Sequence, residues 1–221
     1  MREFIFLGPT LHRGLAANLE LELGDFVVMP PVKRGDVQRL VATNRPGLIA
    51  IVDGYFHLHQ LAVGHAELRQ ALEAGWIIWG LSSMGAIRAA EMRELGMRGF
   101  GRVYERYAND PTFRDDEVAL LHEPGPPYRT FSEPLVHIRA GLEELVTERA
   151  LTEEARDAVL ASLVPMWFGD RTLAQVARLL EPVVAPATLA SWQRSFDRFQ
   201  VKSLDLKEFL VSHSMGKLAA D

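Results

Sequence analysis

Two adjacent serines, Ser82 and Ser83, lie where a predicted strand passes into a predicted helix. The apolar run at residues 77–79 is typical of a buried parallel strand, and alanines at helical spacing continue to a stop at Gly96. The first backbone N–H groups of a helix lack intrahelical partners, so an oxyanion, phosphate or carboxylate can be held there. A serine at this place is either a helix N-cap or a nucleophile whose tetrahedral adduct those N–H groups would bind.

Two further polar residues follow predicted strands. Lys33 stands in a loop that Pro30 and Pro31 open, and it is either a solvated surface lysine or a base. A lysine serves as a base only where burial or a nearby cation lowers its pKa toward neutrality. Asp53 ends an apolar run and precedes Gly54, so it either closes an Asp-Gly turn or orients a donor or a cation.

Histidines and carboxylates also cluster, and we interpret neither cluster as a metal site. His57 and His59 lie just past a strand end with His65 nearby, but no carboxylate completes a recognisable ligand set. His65 begins a predicted helix. The acidic run at residues 115–117 is typical of the first turn of a helix, where carboxylates favour the dipole, rather than of a Mg²⁺ site. We therefore expect neither a metal nor a cofactor.

Short strands and helices alternate over the first hundred residues. Apolar runs predict strands at residues 4–7, 26–29, 48–52 and 77–79, and helical periodicity appears at residues 11–21 and 66–74. This alternation predicts an α/β fold with a mostly parallel central sheet in the N-terminal half. Ligands of such sheets gather beyond the carboxyl ends of the strands. That rule brings together the loops that contain Gly8, Lys33, Asp53 and Ser82.

The C-terminal part is predicted to be all-helical. Pro124, Pro126 and Pro127 make a rigid segment that breaks helices, so we divide the chain into an α/β core over residues 1–125 and a helical region over residues 126–221. Helices are expected at residues 134–148, 152–163, 171–180 with Asp170 as N-cap, 188–199 and 203–213.

Composition narrows the function further. A net charge of −5 gives no general attraction to nucleic acid or to an anionic membrane. The chain has no cysteine, which excludes a disulfide framework, a thiolate metal site and a cysteine nucleophile, so any sulfur chemistry would need sulfur supplied from outside. The apolar run near the N-terminus is too short for a signal peptide, and no run spans a membrane. We expect a cytoplasmic protein.

Five sequence blocks, in their order and spacing, resemble the core of TfuA-like proteins. The most distinctive reads Ser-Ser-Met-Gly-Ala-x-Arg-Ala-Ala-Glu and begins at Ser82. The resemblance covers roughly the first 125 residues, with the other blocks at residues 30–36, 51–56, 62–68 and 116–119, the last followed by His122.

This resemblance implies a partner of a YcaO-type enzyme, which uses ATP to activate a peptide backbone amide so that sulfur replaces oxygen. The TfuA-like partner is understood to hydrolyse the C-terminal thiocarboxylate of a ThiS-like sulfur-carrier protein, releasing sulfide, and to help the YcaO enzyme engage its precursor peptide or protein. The family is described as having a Ser–Lys pair. The lysine maps to Lys33 and the serine to Ser82 or Ser83; we favour Ser83, because Ser-Met-Gly is similar to the nucleophile motif of the Clp protease.

The chemistry of that pair assigns roles to neighbouring residues. Neutral Lys33 would take the proton of the serine, and the N–H groups of Met84 and Gly85 would hold the oxyanion. Arg34 would bind the negative charge of the carrier. The remaining binding or supporting residues are expected to be Asp53, Gly54, His65, Arg88 and Glu91.

Two alternatives to the hydrolase remain. The first is a non-catalytic adaptor that recruits the YcaO enzyme, carrier or peptide through the same surfaces, with Ser83 only a cap. The second is a nucleotide- or phosphate-binding α/β protein that uses the turn from Gly80 to Gly85. The absence of G-x-G-x-x-G and of G-x-x-x-x-G-K-[ST] counts against this second alternative.

Overall fold

A computed structural model describes residues 2–11, 23–24, 26–55 and 60–218. The predicted helix at residues 11–21 lies outside these ranges except for its first residue. His57 and His59 also lie outside them. Within the described residues the chain divides into two compact units, Met1–Phe113 with Lys202–Asp221, and Arg114–Val201. The predicted boundary at residue 125 falls inside the second unit, and the last helix joins the first.

The first unit is built on a parallel sheet, as predicted. Its five strands in the described residues stand in the order β2-β1-β3-β4-β5: β1 (Glu3–Phe6), β2 (Phe26–Met29), β3 (Leu48–Ile51), β4 (Ile77–Leu81) and β5 (Arg98–Phe100). The fifth strand was not predicted, because its three residues include Gly99 and carry no apolar run. In this doubly wound order the chain reverses direction across the sheet between β1 and β3, where ligands commonly bind.

Helices cover both faces of this sheet. They are α1 (Asp36–Thr43), α2 (His65–Glu73), α3 (Met84–Met92), α4 (Gly101–Asn109) and the C-terminal α9 (Val201–Leu218). Alternate strand residues enter two cores, so Ile49 and Ile51 pack toward the helices α1 to α3, whereas Ala50 packs with Leu206 and Phe209 of α9. All residues of β1 and β3 are therefore buried, which explains the continuous apolar runs of these two strands.

The second unit is helical, as predicted. It contains α5 (Leu135–Thr147), α6 (Glu153–Leu163), α7 (Leu173–Leu180) and α8 (Pro186–Arg194), with 3₁₀ turns at Asp115–Glu117, Phe168–Asp170 and Phe196–Phe199. Asp170 does not cap α7; Thr172 is the N-cap instead, and its hydroxyl accepts a hydrogen bond from the Gln175 N–H. No helix in the described ranges combines the length and apolar character that crossing a membrane requires.

Candidate active site

Ser82 forms the sharp bend between β4 and α3. Its φ is +64°, and the Ser83 N–H donates to the Leu81 carbonyl at 2.7 Å, which closes a γ-turn around Ser82. This conformation is strained for a residue that is not glycine. The Ser82 Oγ is buried and donates to the backbone carbonyl of Lys202 in α9 at 2.8 Å. Its hydroxyl is thus committed to holding the C-terminal helix against the turn.

Ser83 stands at the N-cap position of α3 but does not cap the helix. Its backbone, at φ −134° and ψ −124°, is outside the usual strand and helix regions, and its side chain makes no capping hydrogen bond. The residue is 3% exposed, and Ser83 Oγ has no hydrogen-bond partner among the described residues. The side chain therefore does not have the capping role that we weighed for Ser83.

The backbone N–H groups that follow Ser83 are not equivalent. Gly85 N–H, which we predicted as an oxyanion donor, donates to the Val52 carbonyl at 3.3 Å instead. This happens because the first turn of α3 lies directly on the end of β3; a Cβ at Gly85 would stand 1.7 Å from the Ile51 oxygen. Met84 N–H, by contrast, has no acceptor among the described residues. One open N–H is too few to cradle a phosphate, which weakens the phosphate-binding alternative further.

Lys33 is exposed in the loop after β2. Its Nζ lies 5.0 Å above the centroid of the Tyr55 ring, a cation–π contact, and it forms no ion pair among the residues that the structure covers. The Lys33 N–H donates to Asp36 Oδ2 at 2.7 Å, which fixes the backbone of the loop. The side chain is therefore free to move, while its attachment point is not.

This lysine loop is tied to its neighbours. Val32 N–H donates to the Asp53 carbonyl at 2.8 Å, and Tyr55 N–H donates back to the Val32 carbonyl, so the loops after β2 and β3 pair as a short parallel bridge with Val32 opposite Gly54. The carboxylate of Glu67 in α2 accepts the Gly35 N–H at 2.9 Å. We did not predict this role for Glu67, because the two residues are far apart in the sequence.

Asp53 is neither a simple turn residue nor an open ligand. It is 2% exposed, and its Oδ2 accepts the N–H groups of Gly8 at 2.9 Å and Thr10 at 3.0 Å. Its Oδ1 accepts the Thr10 hydroxyl at 2.6 Å. The carboxylate therefore joins the loops after β1 and β3. It already accepts the Gly8 and Thr10 N–H groups, so these are not available to bind a phosphate.

We expect Asp53→Ala to lower the free energy of unfolding by about 2–3 kcal/mol, because two buried N–H groups and one hydroxyl lose a charged acceptor. Hydrogen exchange at the Gly8 and Thr10 amides should rise, since the loop after β1 opens. The matched variant Thr10→Val removes a single one of these bonds and should cost about 1 kcal/mol. Equal costs in urea titrations of the two variants would contradict the assignment.

The predicted supporting residues His65, Arg88 and Glu91 come together between α2 and α3. Glu91 Oε2 contacts His65 Nε2 at 2.9 Å and also accepts from Arg88 Nη1, and Arg88 Nε donates to the Val63 carbonyl at 3.0 Å. The side chain of Arg88 is mostly buried, whereas those of His65 and Glu91 are exposed. Arg34 is exposed, and its N–H donates to the Leu61 carbonyl at 2.8 Å.

Sequence reasoning missed the contribution of α9 to this edge of the sheet. Ser203 Oγ donates to the Thr10 carbonyl at 2.6 Å, and Lys202 is fully buried beside the Ser82 turn. Asp205 accepts the Val103 N–H at 3.0 Å and Arg102 Nε at 3.1 Å, and burial raises the pKa of its carboxyl because desolvation outweighs these hydrogen bonds. The available signal was the apolar face that Leu206, Phe209 and Leu210 give this helix, because such a face must pack against another element.

The acidic run of the second unit has structural partners. Asp115–Glu117 is an isolated 3₁₀ turn, not the start of the helix that we predicted. Asp116 Oδ2 pairs with Arg171 at 2.7 Å, and both Glu117 oxygens accept from Arg139, at 2.7 and 2.9 Å. Across the described parts of both units, no group of three or more His, Asp or Glu side chains is placed to hold a metal ion.

A comparison with family models confirms the family that the sequence resembles, but over a segment that begins later and ends later than the first 125 residues. A family model described as TfuA-like protein matches residues 53–172, which is more than half of the chain. A search of curated proteins found no match. The matched segment includes Asp53 and the serine turn, whereas Lys33 and Lys202 lie outside it.

Proposed function

Because the chain belongs to the TfuA-like family, we propose that it works beside a YcaO-type enzyme in peptide backbone thioamidation, as a hydrolase that releases sulfide from a ThiS-like carrier. The substrate is the C-terminal thiocarboxylate of that carrier. The observation that carries the proposal is Ser83: the residue is 3% exposed, its hydroxyl makes no capping hydrogen bond, and the N–H of its neighbour Met84 has no acceptor among the described residues. A hydroxyl and an oxyanion donor in sequence are the arrangement of a serine nucleophile.

The reaction proceeds in two steps. Ser83 Oγ attacks the thiocarboxylate carbon, and the negative charge that develops on the carbonyl oxygen is held by Met84 N–H. The C–S bond breaks, the serine proton leaves with the sulfur as hydrosulfide, and the carrier remains as an ester on Ser83. Water then attacks the same carbon, which frees the serine and leaves a carboxylate on the carrier.

Lys33 is the proposed base. To reach the Ser83 hydroxyl, the amino group of Lys33 must leave the face of the Tyr55 ring. The exposed side chain and the fixed loop backbone support such a movement. As the base, Lys33 would take the proton of the serine and return it to the departing sulfur.

We expect Lys33→Ala to lower the rate of sulfide release by about 100- to 10,000-fold, because general base catalysis contributes on this scale. Lys33→Arg should be equally inactive, since a guanidinium keeps the charge but does not give up its proton. The measurement is hydrosulfide released from a thiocarboxylated carrier across pH 6 to pH 10. Activity retained in both variants would exclude Lys33 as the base and would point to Lys202 in α9.

An adaptor without catalysis is the second candidate, and one observation favours it: Lys33 contacts Tyr55 rather than a serine. The adaptor would bind the YcaO enzyme and the carrier through the same edge of the sheet. Sulfide release by the isolated protein distinguishes the two candidates. Release from a verified thiocarboxylated carrier supports the hydrolase, whereas carrier binding with no release above background supports the adaptor.

A further inference from the structure

The Met84 N–H provides only one hydrogen-bond donor for the proposed oxyanion site. Serine hydrolases generally use two donors, and here the N–H groups of Gly85 and Ala86 are occupied by Val52 and Ser83 carbonyls. The Ser83 N–H is also occupied, within the γ-turn. A second donor must therefore come from another segment of the chain.

Gly54 supplies an N–H in the right place. In the parallel bridge with Val32, the carbonyl of Asp53 and the N–H of Tyr55 face Val32, so the N–H of Gly54 between them faces the opposite side. It has no acceptor among the described residues. On that opposite side of β3 lies β4.

The end of β3 lies against the start of α3. Ile51 of β3 is paired with Gly80 of β4, and the Val52 carbonyl, two residues before Gly54, accepts the Gly85 N–H at 3.3 Å. A Cβ at Gly54 would lie 2.9 Å from Met84 Cγ and 2.8 Å from Val32 Cγ1, so the backbone of Gly54 packs directly against the first residue of α3.

Gly54 can pack this closely against Met84 and Val32 because it has no Cβ atom. Gly54 is not among the residues with positive φ, so conformation does not require it. Gly54 is also partly exposed, whereas Met84 is 2% exposed. Solvent therefore reaches part of Gly54, while the residue Ser83 is 3% exposed.

We propose that the N–H groups of Gly54 and Met84 together form a two-donor oxyanion hole for the tetrahedral intermediate on Ser83. The inference rests on the proposed hydrolase function and replaces Gly85 with Gly54 as the second donor. It also defines the substrate class as an acyl group with one carbonyl oxygen, entering over Gly54 at the carboxyl edge of the sheet. A thiocarboxylate meets this description.

Replacing the Gly54 amide by an ester, through semisynthesis with glycolic acid at that position, removes the N–H and adds no atom that could clash. We expect kcat for sulfide release to fall by about 100- to 1,000-fold, with KM little changed, because the lost interaction exists only in the transition state. The matched control is the same ester replacement at Gly75, whose N–H donates to the Leu72 carbonyl at 3.0 Å after the end of α2. That change removes one glycine N–H outside the proposed site and should leave kcat close to the unmodified value.

Two variants made by ordinary mutagenesis test the proposed oxyanion hole independently. Gly54→Ala places a methyl group against Met84 and Val32 and should lower kcat, whereas Gly64→Ala meets no atom closer than 3.9 Å and should not. Unchanged kcat in the Gly54 ester, or equal losses in the two esters, would overturn the inference while leaving the hydrolase in place. An unmodified protein that binds the carrier but releases no sulfide would overturn both the hydrolase and the hole.

Discussion

Replacing Ser83 by alanine is expected to reduce sulfide release from the thiocarboxylated carrier by at least about 1,000-fold, the scale seen when a serine nucleophile is removed. The reason is that no other described hydroxyl at this turn is unbonded: Ser82 Oγ donates to the Lys202 carbonyl. Binding of the carrier should persist, because the rest of the site is untouched. The measurement is sulfide released by the variant and the unmodified protein at equal carrier occupancy, with binding followed separately.

Ser82→Ala is the matched control for this prediction. It removes a buried hydroxyl one residue away, with the loss of one hydrogen bond to α9, and should cost about 1 kcal/mol of stability. Most of the sulfide release should remain. The reverse result, an active Ser83→Ala and an inactive Ser82→Ala, would make the strained residue of the γ-turn the nucleophile. Full activity in both would leave the adaptor as the better explanation.

The edge of the sheet could be predicted from the sequence because each site loop directly follows an apolar run. Gly8, Lys33, Asp53 and Ser82 all lie where the strand rule places them. What the sequence could not reveal was the hydrogen bonding among these loops. Asp53 looked like a local turn residue, yet its partners Gly8 and Thr10 stand 45 and 43 positions away.

Hydrogen bonds between distant segments also explain why Gly54 was not predicted as the second oxyanion donor. Counting from the helix start favoured Gly85, since it follows Met84 in the sequence. The choice between Gly85 and Gly54 depends on which N–H groups β3 has already bonded, and that is a property of strand register. The contact between Ser82 and Lys202, 120 positions apart, likewise has no local signal.

The acidic block that resembled the family has a different role from the serine turn. Asp116 and Glu117 lie in the second unit, each in a charged pair with an arginine, Arg171 and Arg139. Paired charges of this kind specify how helices and loops pack. A sequence block shared with a family is therefore not evidence for catalysis by itself, and here it marks the stability of the helical unit.

Arg171→Met is expected to lower the free energy of unfolding of the second unit by about 3–5 kcal/mol, the cost of breaking a buried charge pair. Arg171 is completely buried, and its guanidinium donates to the Asp116 carboxylate and carbonyl and to three further carbonyls, those of Leu163, Val164 and Met166. Methionine fills the space but leaves these acceptors without donors. Urea titration should show the loss, and hydrogen exchange should locate it in α5 and α6 rather than in the sheet.

Two further variants distinguish loss of the Arg171–Asp116 pair from a general effect of removing an arginine on stability. Arg178→Ala changes an exposed arginine of α7 in the same unit and should alter stability by less than about 0.5 kcal/mol. Adding Asp116→Asn to Arg171→Met should recover part of the loss, because the carboxylate no longer stands uncompensated. A double variant that is additive, or an Arg171→Met as stable as Arg178→Ala, would mean that the helical unit is held by its apolar core alone.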